Sequence, residues 1–472
     1  MSFYSDLKKF NNRTALIFND LNFSYTSLLE DADKIAKIIK KRSLIFILGD
    51  NDPETIISLV ASDISNSVVM MLDNKINYNA LTELIRLYMP DFIILSREIK
   101  LKINNFESYN AIYNYNILKS KNDFKKKLNE NLFLLQSTSG TTGSPKNVRL
   151  SYKNLKSNSE SIIKNLSISS NDITITTLPP SYVFGLSILN THLKSGAKIV
   201  LNKSSIIEKS FWKKLIFNKV NNFGGVPYIY EMLTKVGLKK ENFNYLSYTT
   251  VAGGHLHDNL KLSIIDFYEK HDASLITMYG AAEATARMSY LPVEFSRKKI
   301  GSIGIPIDGG EFYIEDEKKN KIIEPNVNGE LIYKGDNVCM GYSYSYDDLD
   351  KDDINKSILE TGDIAYKDED NFYYIIGKKN RYIKLAGNRI SLDEVEKIFF
   401  NFGYKVVCCQ NIKDKMSIFV NEKNIEKKII DYISDYTSLH KNLFKVFYLE
   451  KFPLNKNNKI NYNSKLFKLL DR

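Results

Sequence analysis

The run Ser137-Thr138-Ser139-Gly140-Thr141-Thr142-Gly143-Ser144-Pro145-Lys146 constrains this chain more than any other segment. It follows a short apolar stretch, Leu132 to Leu135, that predicts a strand feeding a loop. Gly140 and Gly143 carry no Cβ, so the backbone there can turn sharply and present its N–H groups to an anion. The interleaved hydroxyls add donors, and Lys146 adds a positive charge. Pro145 keeps the chain from passing directly into a helix through Lys146, which separates this loop from those whose Gly-Lys step opens one. The plainer reading is a Ser/Thr/Gly surface loop. It leaves the meeting of glycines, hydroxyls and a lysine just behind a strand without a reason.

Around this loop the chain alternates strand and helix. Tyr25 to Lys40 has helical spacing, whereas Leu44–Leu48, Val68–Leu72, Asp91–Leu95, Ile173–Leu178, Lys198–Leu201 and Asn222–Val226 read as buried strands. Such alternation predicts an α/β fold with a mostly parallel sheet covered on both faces. Residues 96–131 are polar and rich in Lys, Asn and Tyr, and are expected to be loop and surface helix. After Gly301 the texture changes to short strands between Gly, Asn and Asp turns, such as Glu311–Glu315 and Gly329–Tyr333, predicting a β-rich subdomain. From Arg381 a separate α/β segment closes the chain. A length of 472 residues exceeds one ordinary core, so two or three domains are expected.

Composition excludes several function classes. The net charge of +11 comes from 66 basic and 55 acidic side chains. The lysines are scattered along the chain with no aromatic-and-basic recognition motif, so no nucleic-acid partner is expected. The most apolar stretch, Ile56 to Leu72, is broken by Asp63, Ser65 and Asn66, so the chain is not expected to be an integral membrane protein. Its N-terminus lacks the apolar core of a signal peptide, and a cytoplasmic address is expected. Cys408 and Cys409 are neighbours that a strand would send to opposite faces, which suits packing better than a disulfide or metal site. His255 and His257 form the one close histidine pair and are read as loop residues.

Further motifs follow in order. Met278-Tyr279-Gly280-Ala281-Ala282-Glu283-Ala284-Thr285 comes after the apolar Ser274–Thr277, and Thr361-Gly362-Asp363 comes after the turn-rich region. Then Gly377-Lys378-Lys379-Asn380-Arg381 leads into Lys384-Leu385-Ala386-Gly387-Asn388-Arg389. Near the end stands Phe452-Pro453-Leu454-Asn455-Lys456-Asn457-Asn458-Lys459-Ile460. In this order, from residue 137 to Lys459, the motifs resemble those of the AMP-forming adenylating enzymes, which include acyl-CoA synthetases, carrier-protein acyl and aminoacyl ligases, and luciferases.

The resemblance implies a large N-terminal domain over residues 1–377, a hinge at 378–380, and a small mobile C-terminal domain over 381–472. It implies ATP and Mg²⁺, with CoA or a phosphopantetheine arm as thiol. Thr138, Ser139, Gly140, Thr141, Thr142, Gly143 and Lys146 would hold phosphates, with Gly253, Tyr279 and Gly280 at the nucleotide. Tyr279 would pack on adenine, and Glu283 would hold Mg²⁺ and serve catalysis, a hard oxygen ligand for a hard cation. Asp363 and Lys378 would meet the ribose. Lys459 would stabilise charge as a carboxylate attacks the α-phosphorus. Lys384, Gly387 and Arg389 would belong to the segment that serves the thioester step. Tyr182, Val183, Pro227, Tyr228, Gly254 and Ala281 would line the site for a small carboxylic acid.

This sequence departs from the family at Ala282 (usually Thr), Lys378 (usually Arg), Asn380 at the pivot and Asn458 (usually Gly). Val183 stands where amino-acid ligases generally place Asp, and a buried unpaired ammonium is costly, so an amino-acid–carrier-protein ligase is disfavoured. Three readings stay open: a CoA ligase, a ligase with an acyl carrier protein as partner, and a catalytically impaired nucleotide-binding module.

Overall fold

The computed structural model describes the chain apart from residues 1, 40, 101–102, 123–126, 138–145, 238–243, 387, 411–414, 438, 455–459, 463 and 470–472, and describes the backbone alone at 382, 384, 388, 389, 401, 468 and 469. The chain forms two compact units. The first takes the described residues of Met1–Thr138, Pro145–Phe312 and Tyr333–Leu359; the second takes those of Tyr313–Ile332 and Glu360–Arg472.

Two large sheets build the first unit. Among the described residues, one has eight strands in the spatial order Tyr342–Ser343, Asn147–Ser151, Leu132–Ser137, Val68–Asp73, Leu44–Gly49, Phe92–Ser96, Tyr115–Ser120, Phe106–Ile112. Its centre is parallel, with Leu44–Gly49 flanked by Val68–Asp73 and Phe92–Ser96. These strands are buried on both faces, and the period of two divides their side chains between two cores. Ile45, Ile47, Val69 and Met71 enter one core, while Leu44, Phe46, Leu48, Val68 and Met70 enter the other.

The second sheet has nine strands among the described residues. Its consecutive members Ser274–Tyr279, Tyr248–Val251, Asn222–Gly225, Ile173–Ile175 and Lys198–Val200 are parallel. The helix Pro53–Ile64 is buried along nearly its whole length, and its polar side chains are answered inside the protein: Ser58 donates to the Glu54 carbonyl, Ser62 donates to the Ser58 carbonyl, and Asp63 accepts from the N–H groups of Phe3 and Tyr4. It starts where Asp52 accepts from the Thr55 N–H and proline occupies the first turn.

Residues 96–131 depart from expectation. Instead of loop and surface helix, Phe106–Ile112 and Tyr115–Ser120 form a hairpin that pairs onto Phe92–Ser96 at the sheet edge. Phe106–Ile112 is the edge strand and is exposed along Glu107–Asn110, while in Tyr115–Ser120 behind it Tyr115 and Ile117 are buried and Asn116 and Leu118 half-buried; the Asn and Lys of so wet an edge hide its strands in the sequence.

In the turn-rich region, Lys321–Ile322, Gly310–Glu315, Gly329–Gly335, Ile358–Lys367 and Tyr373–Lys378 make a five-stranded sheet, as the turn spacing predicts. Beyond it the hairpin Tyr382–Leu385/Asn388–Ser391 precedes the helix Leu392–Asn401 and a three-stranded sheet of Val406–Cys409, Met416–Val420 and Phe444–Tyr448. Cys408 and Cys409 fall in different cores, as adjacent strand residues must. Among the described residues no helix is long and apolar enough to cross a membrane.

Candidate functional site

In open parallel sheets the crevice outside the carboxyl ends of the strands is where ligands are held. Three adjacent strands of the nine-stranded sheet lie in register, with Gly225 beside Val251 and Val251 beside Thr277, the third running on to Tyr279. Their following segments carry the expected acyl-site residues Pro227 and Tyr228, then Gly254, then Ala281, with the expected nucleotide residues Gly253 and Gly280 next to the last two in the chain. Pro227 opens the helix Pro227–Val236, and Tyr228 beside it is exposed. Gly253 has φ of +84°, and a Cβ there would lie 2.7 Å from the Tyr182 hydroxyl, so glycine is needed on two grounds. Burial pushes the Tyr182 phenol upward in pKa. Val183, the first residue of the helix Val183–Ser195, lines a small cavity with Leu134, Leu150, Leu155 and Leu186.

The phosphate-loop residues Thr138, Ser139, Gly140, Thr141, Thr142 and Gly143 lie outside the described residues. The strand that delivers them is described. Gln136 at its end donates through Nε2 to the Ser181 carbonyl, one residue before Tyr182. Lys146 stands at the start of the return strand, its Nζ 3.8 Å from the centre of the Tyr342 ring.

Tyr279 closes its strand half-buried, its ring 6.2 Å from that of Phe312. At Gly280 a Cβ would lie 1.5 Å from the Ala286 carbonyl oxygen, so no other residue fits the turn. The turn then presents Glu283, half-buried, whose Oε1 accepts from the Tyr342 hydroxyl at 2.8 Å. Glu283 forms no ion pair among the described residues. That suits Mg²⁺, which takes one or two carboxylates and completes its shell with phosphate oxygens and water. No group of three or more His, Cys, Asp or Glu capable of caging a metal occurs among the described residues.

Thr285 does not stand in for the threonine that Ala282 lacks. It is buried, and its hydroxyl donates to the Asn337 carbonyl at 2.6 Å. Nearby Arg287 is fully buried and donates to Ser187 Oγ at 3.0 Å and to the Ser187 carbonyl at 2.9 Å. Desolvation lowers its guanidinium to about 9.

In the second unit, antiparallel pairing sets Asp363 opposite Lys378, and Lys378 Nζ reaches Asp363 Oδ1 at 3.0 Å. Asn380 lies in the single turn Lys379–Arg381. Past it, Arg381 binds Asp393 at 2.5 Å and Glu396 at 2.6 Å. Lys384 and Arg389 face each other across the hairpin backbone. Gly387, Asn458 and Lys459 lie outside the described residues. Tyr342 and the buried Arg149 that holds its segment were missed as site residues. An aromatic such as Tyr342, standing outside any apolar period, gives no local sign of what it touches.

Residues 3–343 match the AMP-binding enzyme family. The 2-succinylbenzoate–CoA ligase of Bacillus pumilus is 23% identical over 403 residues, covering 83% of this chain and 80% of its own. That of Oceanobacillus iheyensis is 26% identical over 405 residues, covering 82% and 80%. Among solved structures, the O-succinylbenzoate coenzyme A synthetase MenE from Bacillus subtilis in complex with AMP superposes with a TM-score of 0.80 at 21% identity, over 98% of this chain and 97% of that one. MenE has also been solved with ATP and a magnesium ion, with a TM-score of 0.78 at 21% identity over 100% of this chain and 99% of that one. ATP-bound MatB from Rhodopseudomonas palustris gives a TM-score of 0.80 at 17% identity over 99% of both chains. At these identities the superpositions establish the fold.

Proposed function

Since the chain belongs to the AMP-binding enzyme family, we propose that it is an ATP-dependent acid–CoA ligase working in two steps. First the substrate carboxylate attacks the α-phosphorus of ATP, forming an acyl-adenylate and expelling pyrophosphate. The thiolate of CoA then attacks the acyl carbon, forming a thioester and expelling AMP. Dividing the reaction lets each step break one activated bond.

The observation that carries this reading is Glu283: a half-buried carboxylate with no cation among the described residues, set beside three loops at the carboxyl ends of parallel strands. Mg²⁺ held there would neutralise phosphate charge. Lys146 and the loop from Thr138 to Gly143 grip the phosphates, Gly253, Gly280 and the Tyr279 ring border the nucleotide, and Asp363 with Lys378 holds the ribose. Lys459 stabilises charge during adenylation, and the segment of Lys384, Gly387 and Arg389 serves the thiol. Division of the chain at 378–380 lets one small domain serve both half-reactions. Tyr182, Val183, Pro227, Tyr228, Gly254 and Ala281 contact the acid.

CoA is the acceptor in this reading because the named relatives are CoA ligases; nothing favours an acyl carrier protein. Their acid, 2-succinylbenzoate, is the first substrate to try. Acid-dependent ATP–pyrophosphate exchange, followed by mass detection of the CoA thioester over a panel of acids, tests the assignment. Exchange with no acid in the panel would remove it.

One observation favours a second reading, a nucleotide-binding module with slow turnover. Ala282 offers no hydroxyl, and Thr285 has committed its own to Asn337. Replacing Ala282→Thr separates the two: a rise of about tenfold in exchange marks a working site short of one donor, and no rise at all favours the module.

A further inference from the structure

Among the described residues a phenol, not a cation, holds the Glu283 carboxylate. Tyr342 Oη donates to Oε1 at 2.8 Å, and the Cys339 N–H donates to the Glu283 carbonyl at 2.8 Å. Side chain and backbone of Glu283 are therefore both tied to the segment 339–342. The same tyrosine ring carries Lys146, with Nζ 3.8 Å from its centre. Its posture is built in. The strand Tyr342–Ser343 pairs antiparallel with Asn147–Ser151, placing Tyr342 opposite Val148. Arg149, fully buried, donates to the carbonyls of Tyr342 at 3.2 Å and Met340 at 2.8 Å. One side chain thus touches the acidic group and the basic group that the proposed reaction sets against the two charges of Mg·ATP.

We propose that Tyr342 is a positioning residue for Mg·ATP, its hydroxyl holding Glu283 for the metal and its ring holding Lys146 for the phosphates. A carboxylate free to rotate must lose that freedom when the metal arrives. Pinning Oε1 through a donor spends the entropy during folding and leaves Oε2 for the cation. The ring acts separately, because the negative face of an aromatic attracts an ammonium without consuming its hydrogen-bond donors. The inference rests on the roles given above to Glu283 and Lys146.

Two variants of the full chain take the two functions apart. Binding of a fluorescent ATP analogue is titrated with Mg²⁺ and again in EDTA, alongside thermal unfolding of the unliganded protein. Tyr342→Phe keeps the ring and loses the donor. It should weaken Mg-dependent nucleotide binding about tenfold, the size of a lost hydrogen bond to a charged group, while binding in EDTA and the melting temperature stay as in wild type. Tyr342→Leu also removes the ring and should weaken binding in EDTA by about fivefold, the scale of one exposed cation–π contact. In a Glu283→Gln background, Tyr342→Phe should have no further effect.

Equal binding of Mg·ATP by wild type and Tyr342→Phe overturns the proposal, as does an equal loss with and without Mg²⁺. If wild type itself shows no dependence on Mg²⁺, the role of Glu283 fails first and the proposal falls with it.

Discussion

Glu283 in the first unit and Glu396 in the second are both carboxylates partly withdrawn from water, yet their surroundings are opposites. Glu396 accepts from Arg381 at 2.6 Å, from the Cys408 N–H at 2.7 Å and from Tyr462 at 2.8 Å. Arg381 also binds Asp393 and rests 3.7 Å from the centre of the Tyr462 ring. Glu283 has the Tyr342 hydroxyl and no cation among the described residues. A carboxylate whose charge and lone pairs are already met is finished and serves to hold the chain. One whose charge is left unanswered is where a ligand can bring the missing partner. The same residue type thus closes a network in one place and, in the function proposed, meets a metal in the other.

The sharpest way to break this contrast is to neutralise each partner in turn. Glu283→Gln should lower ATP–pyrophosphate exchange about 100-fold, the scale of removing one electrostatic group from a reacting centre. Its melting temperature should match wild type, and a large fall there would make Glu283 structural after all. Arg381→Ala should do the reverse to Glu396 and Asp393. It leaves two carboxylates without their cation and should cost about 3 kcal/mol of stability, read by thermal unfolding. An unchanged melting temperature would show that this network holds nothing.

The contrast also reaches groups that stay uncharged. His192 is buried, bonded through Nδ1 to the Ile188 carbonyl at 2.8 Å, and burial pushes its imidazole down to about 4. The folded state therefore refuses a proton that the unfolded chain accepts at about 6.5. Stability is complete above that value and falls as pH drops from about 6.5 toward 4. Unfolding measured across that window in wild type and His192→Gln should show a shallower slope in the variant; parallel slopes would contradict it. The smallest effect expected is at Lys378→Arg. A fork in place of a point charge beside Asp363 should lower the KM for ATP about twofold, and a rise would show that the pair already fits as it is.

Much of the fold was legible because buried strands announce themselves. In Leu44-Ile45-Phe46-Ile47-Leu48 every side chain is apolar, since both faces meet a core. The hairpin 106–120 was not legible. Its outer strand is exposed along Glu107–Asn110, and the requirement that marks a strand in sequence, an apolar face, is weak where water covers it. Of the candidate site, the turn through Tyr279, Gly280 and Glu283 was legible as one short motif, and at Gly280 a Cβ would run into the Ala286 carbonyl. The fate of the Thr285 hydroxyl was not legible. Its αL backbone, φ 58°, turns the side chain toward Asn337, 52 residues away.

What the sequence determined by itself was an inventory in order: a glycine-and-hydroxyl loop behind a strand, an acid after a Tyr-Gly turn, an acid after Thr-Gly, and lysines at known places. Those are local properties, written in backbone freedom and side-chain type. Tertiary structure alone decided which groups answer one another. The Glu283–Tyr342 bond joins residues 59 apart. It exists because the strand at Tyr342 pairs beside Val148 and a buried arginine grips its carbonyl. Contacts of that kind depend on how strands are placed in space, and no short stretch of chain encodes that placement.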